Sequence, residues 1–168
     1  PTLPATVEVE VDEVPFTVEQ EKQFNELKSA TDSQLLLMKA RLNEASHSSL
    51  QRLAGNAQTL REDGDTFWSE NRPQYAIDSL TESLEKAMLF LESLPLQESL
   101  VIAETDYMHA FQATQVVDAF KWSRDRFLQG SEHVEQAEKM LEEGRVQQTI
   151  GHYELATDSF ISASEDVR

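Results

Sequence analysis

Hydrophobic residues recur at three- and four-residue steps along most of the chain, which is the spacing of one face of an α-helix. The first such stripe consists of Phe24, Leu27, Leu35, Met38, Leu42 and Ala45. Pro73 and Pro95 interrupt the pattern, and Gly130 followed by Ser131 is a pair expected where one helix ends and another begins. The pattern predicts helices over about residues 17–45, 50–70, 73–93, 98–128, 132–143 and 146–166.

Residues 1–17 have a different pattern of hydrophobic and polar positions. Val alternates with acidic residues in TVEVEVDEV, which is the two-residue period of a half-buried strand, and Pro4 and Pro15 bracket it. We predict an extended N-terminal arm over residues 1–17, followed by a single helical domain over residues 18–168. The arm is interpreted as a linker or a packing strap, or as a strand that adds to the edge of another chain's sheet.

The predicted helix over residues 98–128 holds many of the large apolar side chains. Its expected buried positions are Ile102, Thr105, Met108, Phe111, Val116, Phe120 and Phe127. Packing into the core explains these residues, but aromatic and Met side chains would also suit a cavity that holds a lipid or another apolar small molecule. Both interpretations remain open from the sequence.

Composition supports a helical fold and limits the classes of partner that we expect. Only five Gly and five Pro occur among 168 residues, so the chain can be helical almost throughout. The fold class predicted is all-α, a compact bundle of five or six antiparallel helices. A net charge of −17 would repel nucleic acid and anionic membranes, whereas a basic protein or peptide would associate faster. No apolar run is long enough to insert into a membrane, and we expect a soluble protein.

Two predicted hairpins share one pattern of small and large residues. The first has Gly64, Phe67, Ala76, Leu80 and Ser83, and the last has Ala137, Met140, Thr149, Tyr153 and Ala156 at the same intervals. Small residues let two antiparallel helices approach, and large ones fill the space beside them. The spacing therefore predicts a repeated helical hairpin.

This spacing resembles the tetratricopeptide repeat over residues 60–92 and, less fully, over residues 132–164. Leu80 stands where that family usually has an aromatic residue, and Thr149 stands where it usually has alanine. The resemblance implies TPR-like helical hairpins and a groove that binds another protein or a peptide. We therefore expect a non-catalytic interaction or scaffolding module.

Four aromatic residues are the candidates for contact with a partner. Phe67 and Trp68 are adjacent, so both are not expected to face the same core, and one would be available to a ligand. Trp122 lies two residues after Phe120, and tryptophan is enriched among binding hot spots. With Tyr75 these are Phe67, Trp68, Tyr75 and Trp122; the alternative is that they fill helix interfaces.

Evidence for catalysis is weak. Glu44 and His47, and Asp106 and His109, stand one helical turn apart, as in di-metal carboxylate bundles. The segment around the first pair is polar, however, where a bundle-core site should interrupt an apolar stripe. The sequence holds no cysteine, no Gly-rich phosphate loop and no nucleophile elbow. We expect no cofactor, no metal and no enzymatic activity. The compartment is left open between the cytoplasm and, if a signal peptide was removed, a bacterial cell envelope or periplasm.

Overall fold

The computed structural model describes residues 16–44 and 46–168, and these residues form helices and short connections without a strand. The prediction of an all-α bundle with five or six packed helices is confirmed. Six helices have 19 to 24 residues, and α5 is a single turn. The helices are α1 (Val18–Arg41), α2 (Ser48–Ser69), α3 (Pro73–Ser93), α4 (Gln97–Val116), α5 (Ala119–Trp122), α6 (Arg124–Glu142) and α7 (Val146–Asp166). A 3₁₀ turn, Leu94–Leu96, joins α3 to α4.

Local signals in the sequence fix several helix starts. Thr17 and Gln20 form a capping box, in which the Thr17 hydroxyl accepts from the Gln20 N–H at 3.0 Å and the Gln20 side chain accepts from the Thr17 N–H at 3.2 Å. Pro73 begins α3, where the missing N–H costs no helical hydrogen bond.

The helices divide into two halves of similar design. In the N-terminal half (α1–α3), α3 packs against both α1 and α2, which touch each other little. In the C-terminal half (α4–α7), α7 packs against both α4 and α6, and direct contact between α4 and α6 is slight. Each half therefore has one central helix and a groove between the two outer helices.

The hairpin turns of the two halves have the same geometry. Asn71 and Gly144, 73 positions apart, take the left-handed conformation with φ of 57° and 75°. After each, the next N–H donates to a carbonyl near the end of the preceding helix at 2.9 Å, Arg72 to Phe67 and Arg145 to Met140. This is the hydrogen bond of a Schellman helix ending. The predicted hairpin repeat thus extends to the backbone of the turn.

Three predicted helix boundaries are wrong. The first helix ends at Arg41; residue 45 lies outside the described residues, as do residues 1–15 of the predicted arm. The segment over residues 98–128 is broken after Val116, because Asp118 adopts φ 51° and the chain turns through α5 before α6 begins. Two adjacent β-branched residues, Val116 and Val117, followed by Asp form a poor helix stretch, and Asp tolerates this conformation.

Gly130 and Ser131 do not separate two helices but lie inside α6. Gly130 is buried, and a Cβ atom at this position would lie 2.5 Å from the Phe160 ring on α7. The glycine is needed because α6 and α7 approach closely here. It therefore serves helix packing rather than helix termination.

The buried face of α4 also differs from the prediction. Its buried residues are mostly small: Leu100, Ala103, Ala110 and Thr114. Six of the seven expected core positions over residues 98–128 are exposed, and Phe127 is half-buried. The exposed ones are Ile102, Thr105, Met108, Phe111, Val116 and Phe120. Helix α4 thus packs on α7 with a narrow stripe and leaves large apolar side chains outside the core.

No helix in the described part of the chain is long and apolar enough to cross a membrane.

Candidate functional site

The exposed apolar side of α4 forms one wall of a groove in the C-terminal half. This α4–α6 groove has a volume of about 470 Å³. Its walls are side chains of α4 and α6, and its floor is Phe160 of α7. The lining residues are Tyr107, Met108, Phe111, Gln112, Ser131, Val134 and Phe160. The size is within the range of small-ligand and peptide sites.

The α4–α6 groove is open to solvent and largely aromatic at one end. Met108 is 51% exposed and Phe111 is 38% exposed. The Phe111 ring contacts the Phe160 ring edge-on at 5.4 Å between centroids, and Phe127 lies 5.9 Å from Phe111. Phe127 in turn contacts Phe120 at 5.4 Å, which extends the aromatic surface toward α5. Met108 and Phe111 therefore form an apolar surface that the described part of the chain leaves partly uncovered.

The other end of the groove combines tyrosines with carboxylates. Tyr107 stacks on Tyr153 of α7, with centroids 4.6 Å apart and an interplanar angle of 6°. Burial raises the pKa of Tyr107, and the nearby charges of Glu138 and Glu104 raise it further. Burial also raises the pKa of Tyr153 well above its ordinary value of 10. Glu104 lies one helical turn before Met108 on α4, and Glu138 lies one turn after Val134 on α6, so two carboxylates flank the tyrosine end of the groove.

The N-terminal half has a corresponding groove between α1 and α2, with a volume of about 350 Å³, and an ion-pair network lines it. The Arg61 guanidinium donates to Asp32 at 2.6 Å and 3.2 Å and pairs with Asp65 at 2.7 Å. Lys28 lies 3.2 Å from Asp65. The Arg61 side chain is only 10% exposed and lines the groove together with Asp32 and Asp65.

Charge and burial act in opposite directions on this network. Burial tends to raise the pKa of Asp65, but hydrogen bonds from Arg61 and Lys28 outweigh it and lower the pKa below the ordinary value. Hydrogen bonding to Asp32 raises the pKa of Arg61. The N-terminal groove is therefore lined by the chain's own paired charges.

The two grooves occupy equivalent places. The shift of 73 positions that relates the hairpins also relates Arg61 to Val134. On the outer helix α1, Asp32 follows Thr31, whose hydroxyl lies 3.4 Å from the Leu80 carbonyl. On the outer helix α4, Met108 follows Tyr107, which stacks on Tyr153. Leu80 and Tyr153 are themselves equivalent positions. Val134 and Met108 thus stand where the N-terminal half has an arginine and an aspartate.

The candidates Phe67 and Tyr75 lie together beside the α2–α3 turn. Their rings are 5.7 Å apart, and the Arg72 guanidinium lies 5.0 Å from the Phe67 ring and 4.2 Å from the Tyr75 ring. Phe67 is half-buried, whereas Tyr75 is exposed. This surface patch belongs to the N-terminal half, since Phe67 lies on α2 and Tyr75 on α3.

Trp68 is part of an aromatic stack rather than a free side chain. It lies between Phe16 and Phe24, each 4.1 Å away and nearly parallel to it. Phe67 and Trp68 both pack against the cluster around Ile77 and Leu80, so the expectation that they could not share a core is wrong. Trp68 reaches this cluster from the α1 side, while Phe67 contacts Tyr75 of α3.

Trp122, the fourth candidate, lies on α5 and is 66% exposed. The Lys121 ammonium is 4.7 Å from its ring, and the Arg124 guanidinium is 5.4 Å from the Phe120 ring. The candidates are therefore split between two regions of the molecule. None of the seven residues that line the α4–α6 groove is among these four candidates, because helical spacing assigned Met108 and Phe111 to the core. Their exposure depends on which helices cover α4.

The two acid and histidine pairs are not brought together. His47 caps α2, where its Nδ1 accepts from the Ser49 N–H at 3.1 Å, so its Nε2 carries the proton and donates to Glu104 of α4 at 3.0 Å. Its partner is thus Glu104 and not Glu44. His109 is exposed. Within residues 16–44 and 46–168, no three His, Asp or Glu side chains are grouped to hold a metal ion.

No family model, curated protein or solved structure matches this chain.

Proposed function

We propose that this protein is a non-catalytic binding module that holds a segment of another protein or a peptide in the α4–α6 groove. The observation that carries the proposal is the exposure of Met108 and Phe111 in an apolar groove whose N-terminal counterpart is lined by the ion pairs of Arg61. Keeping large apolar side chains in water is unfavourable by about 25 cal/mol per Å². A partner that covers them recovers this free energy.

Two further features support the proposal. The hairpin repeat resembles the tetratricopeptide repeat, a family of protein-binding modules, and its two turns share one hydrogen-bonding pattern. The groove is open along its walls rather than enclosed, which suits an elongated ligand that enters from the side. Phe120 and Trp122 continue the apolar surface beyond the groove and add a second contact region.

The proposal is tested by crosslinking from within the groove. A photo-reactive phenylalanine derivative replaces Gln112, which lines the groove, and in a separate protein it replaces Glu85, which is exposed on α3. Both proteins are irradiated in the cells that naturally contain the chain, and crosslinked products are identified by mass spectrometry. We expect a protein attached through position 112 and absent from position 85.

A closed-groove variant provides the matched control. Met108→Asp combined with Val134→Arg copies the Asp32–Arg61 pair into the C-terminal half, and it should abolish the crosslink at position 112. Met108→Glu alone, at a half-exposed side chain, serves if the double variant does not fold. No product at position 112, or the same products from both positions, would refute the proposed function.

A lipid or other apolar small molecule is the second candidate ligand, favoured by the groove volume of about 470 Å³ and its aromatic end. Titration with palmitate, followed by the fluorescence of the two tryptophans, distinguishes this case. Saturable palmitate binding that is lost in the closed-groove variant, together with an absent crosslink, would assign the groove to a lipid.

A further inference from the structure

We propose that the segment that occupies the α4–α6 groove is an amphipathic α-helix with a basic residue that meets Glu138. The inference rests on the proposed function, because it identifies the chemistry of the partner at that same groove. It commits to one occupant, and the alternatives are outcomes of the test below.

Backbone chemistry favours a helix as the occupant. Both walls of the groove are α-helices, whose N–H and C=O groups already bond within each helix, so the groove offers side chains and no sheet edge. An extended peptide would bury backbone groups without partners against Phe111 and Val134. A helix satisfies its own backbone and can present apolar residues at i, i+3, i+4 and i+7.

Charge favours a basic residue at the tyrosine end of the groove. Glu104 lies one turn before Met108 on α4, and Glu138 lies one turn after Val134 on α6, but Glu104 is held by His47 at 3.0 Å. Glu138 has no ion pair within the described residues. The net charge of −17 also makes a second copy of this chain an unfavourable occupant and a cationic one favourable.

The N-terminal half shows how such a charge is accommodated. There Arg61 lies between α1 and α2 and pairs with carboxylates of both helices. The equivalent C-terminal position is Val134, so the C-terminal half supplies no cation of its own at that place. A lysine or arginine of the partner would lie at the position that corresponds to Arg61 and form an ion pair with the Glu138 carboxylate.

The test uses three synthetic peptides of about 16 residues, long enough for roughly 24 Å of helix. The first carries a leucine stripe at helical spacing with one lysine at its end, the second has glutamine in place of that lysine, and the third has the stripe scrambled. Fluorescence anisotropy gives each Kd with the unmodified protein, the Glu138→Gln variant and the closed-groove variant. Circular dichroism reports whether the bound peptide gains helix.

We expect the lysine peptide to bind about two- to five-fold more tightly than the glutamine peptide, as for a solvent-exposed ion pair. This difference should vanish in Glu138→Gln, and the scrambled peptide should not bind. Peptide helicity should rise on binding, and the closed-groove variant should bind neither striped peptide.

Several outcomes overturn the inference. Equal Kd values for the lysine and glutamine peptides, or a preference that persists in Glu138→Gln, would remove the basic residue from the proposal. Binding without a gain in helicity would remove the helix. In both cases crosslinking at position 112 would still support the proposed function, so the two failures are distinguishable. Absence of binding by every striped peptide would also overturn the inference.

Discussion

The two halves of the molecule share an arrangement of three long helices and a hairpin turn, but their grooves differ in what fills them. The groove between α1 and α2 is lined by Arg61 and two aspartates, whereas the groove between α4 and α6 is lined by Met108, Phe111 and Val134. A repeated backbone therefore does not require a repeated surface. One half lines its groove with its own ion pairs, and the other leaves an apolar groove open to solvent.

The contrast also appears where the central helices meet their neighbours. In the C-terminal half Gly130 faces the Phe160 ring, and in the N-terminal half the equivalent positions are Ala57 and Ala87, both fully buried. The first pair combines a large and a small residue, and the second combines two small ones. The large ring of Phe160 also floors the α4–α6 groove, so helix packing and the candidate site depend on the same residue.

The largest expected effect separates the packed core from the open groove. Leu80→Ala should lower the free energy of unfolding by about 2–5 kcal/mol, because Leu80 is fully buried and its loss leaves a cavity beside Gly64. Met108→Ala, at the exposed groove wall, should change it by less than about 0.5 kcal/mol. Urea titration followed by circular dichroism measures both. Similar losses in the two variants would contradict the distinction.

Gly130→Ala tests the close contact between α6 and α7. The added methyl group would collide with Phe160, and we expect a loss of about 1–3 kcal/mol in the free energy of unfolding. Gly151→Ala is the matched control, because nothing lies within 4 Å of its added Cβ and alanine favours the helix by up to about 1 kcal/mol.

Combining Gly130→Ala with Phe160→Ala recreates the small pair of the N-terminal half. The double variant should cost less than the two single losses added together, since removing the ring removes the collision. Strict additivity in a thermal or urea titration would show that the two residues do not interact.

Arg61→Ala tests how much the ion pairs that line the N-terminal groove stabilise the fold. It leaves Asp32 and Asp65 without their shared cation, and we expect a loss of about 1–2 kcal/mol after allowing for the solvent exposure of both aspartates. Lys22→Ala, which removes an exposed pair with Glu26 on α1, should change stability by less than about 0.5 kcal/mol. An equal effect of the two substitutions would mean that the ion pairs of Arg61 contribute no more to stability than an exposed pair.

The smallest expected effect is a dependence on pH. The pKa of Asp65 is lowered in the folded chain, so its contribution to stability is present above its ordinary value of 3.8 and is lost as the pH falls below that value. Melting temperatures measured from neutral pH down to about pH 2.5 should fall less steeply for Asp65→Asn than for the unmodified protein. Parallel curves would show that this carboxylate is not stabilised by folding.

Much of the fold could be read from the sequence because its signals are local. Helical spacing, Pro73 and the small and large residues around Leu80 predicted the α2–α3 hairpin, and the same intervals predicted α6–α7. Less of the candidate site was predictable. Trp122 was predicted as a partner contact from its residue type, and it is exposed on α5. Trp68 was also predicted as a partner contact, but it lies in a stack with Phe16 and Phe24, which come from other stretches of the chain.

By itself, the sequence determined which stretches are helical and which intervals repeat, because backbone propensity, caps and periodicity act within a few residues. Only the tertiary structure decided which faces of those helices are covered. Met108 and Phe111 have the spacing of core residues and are exposed because α4 packs on α7 through Ala103 and Ala110 instead. Whether an apolar side chain is buried or exposed depends on its neighbours in space. The pairing of Arg61 with Asp32, 29 positions apart, likewise cannot be predicted from the local sequence pattern.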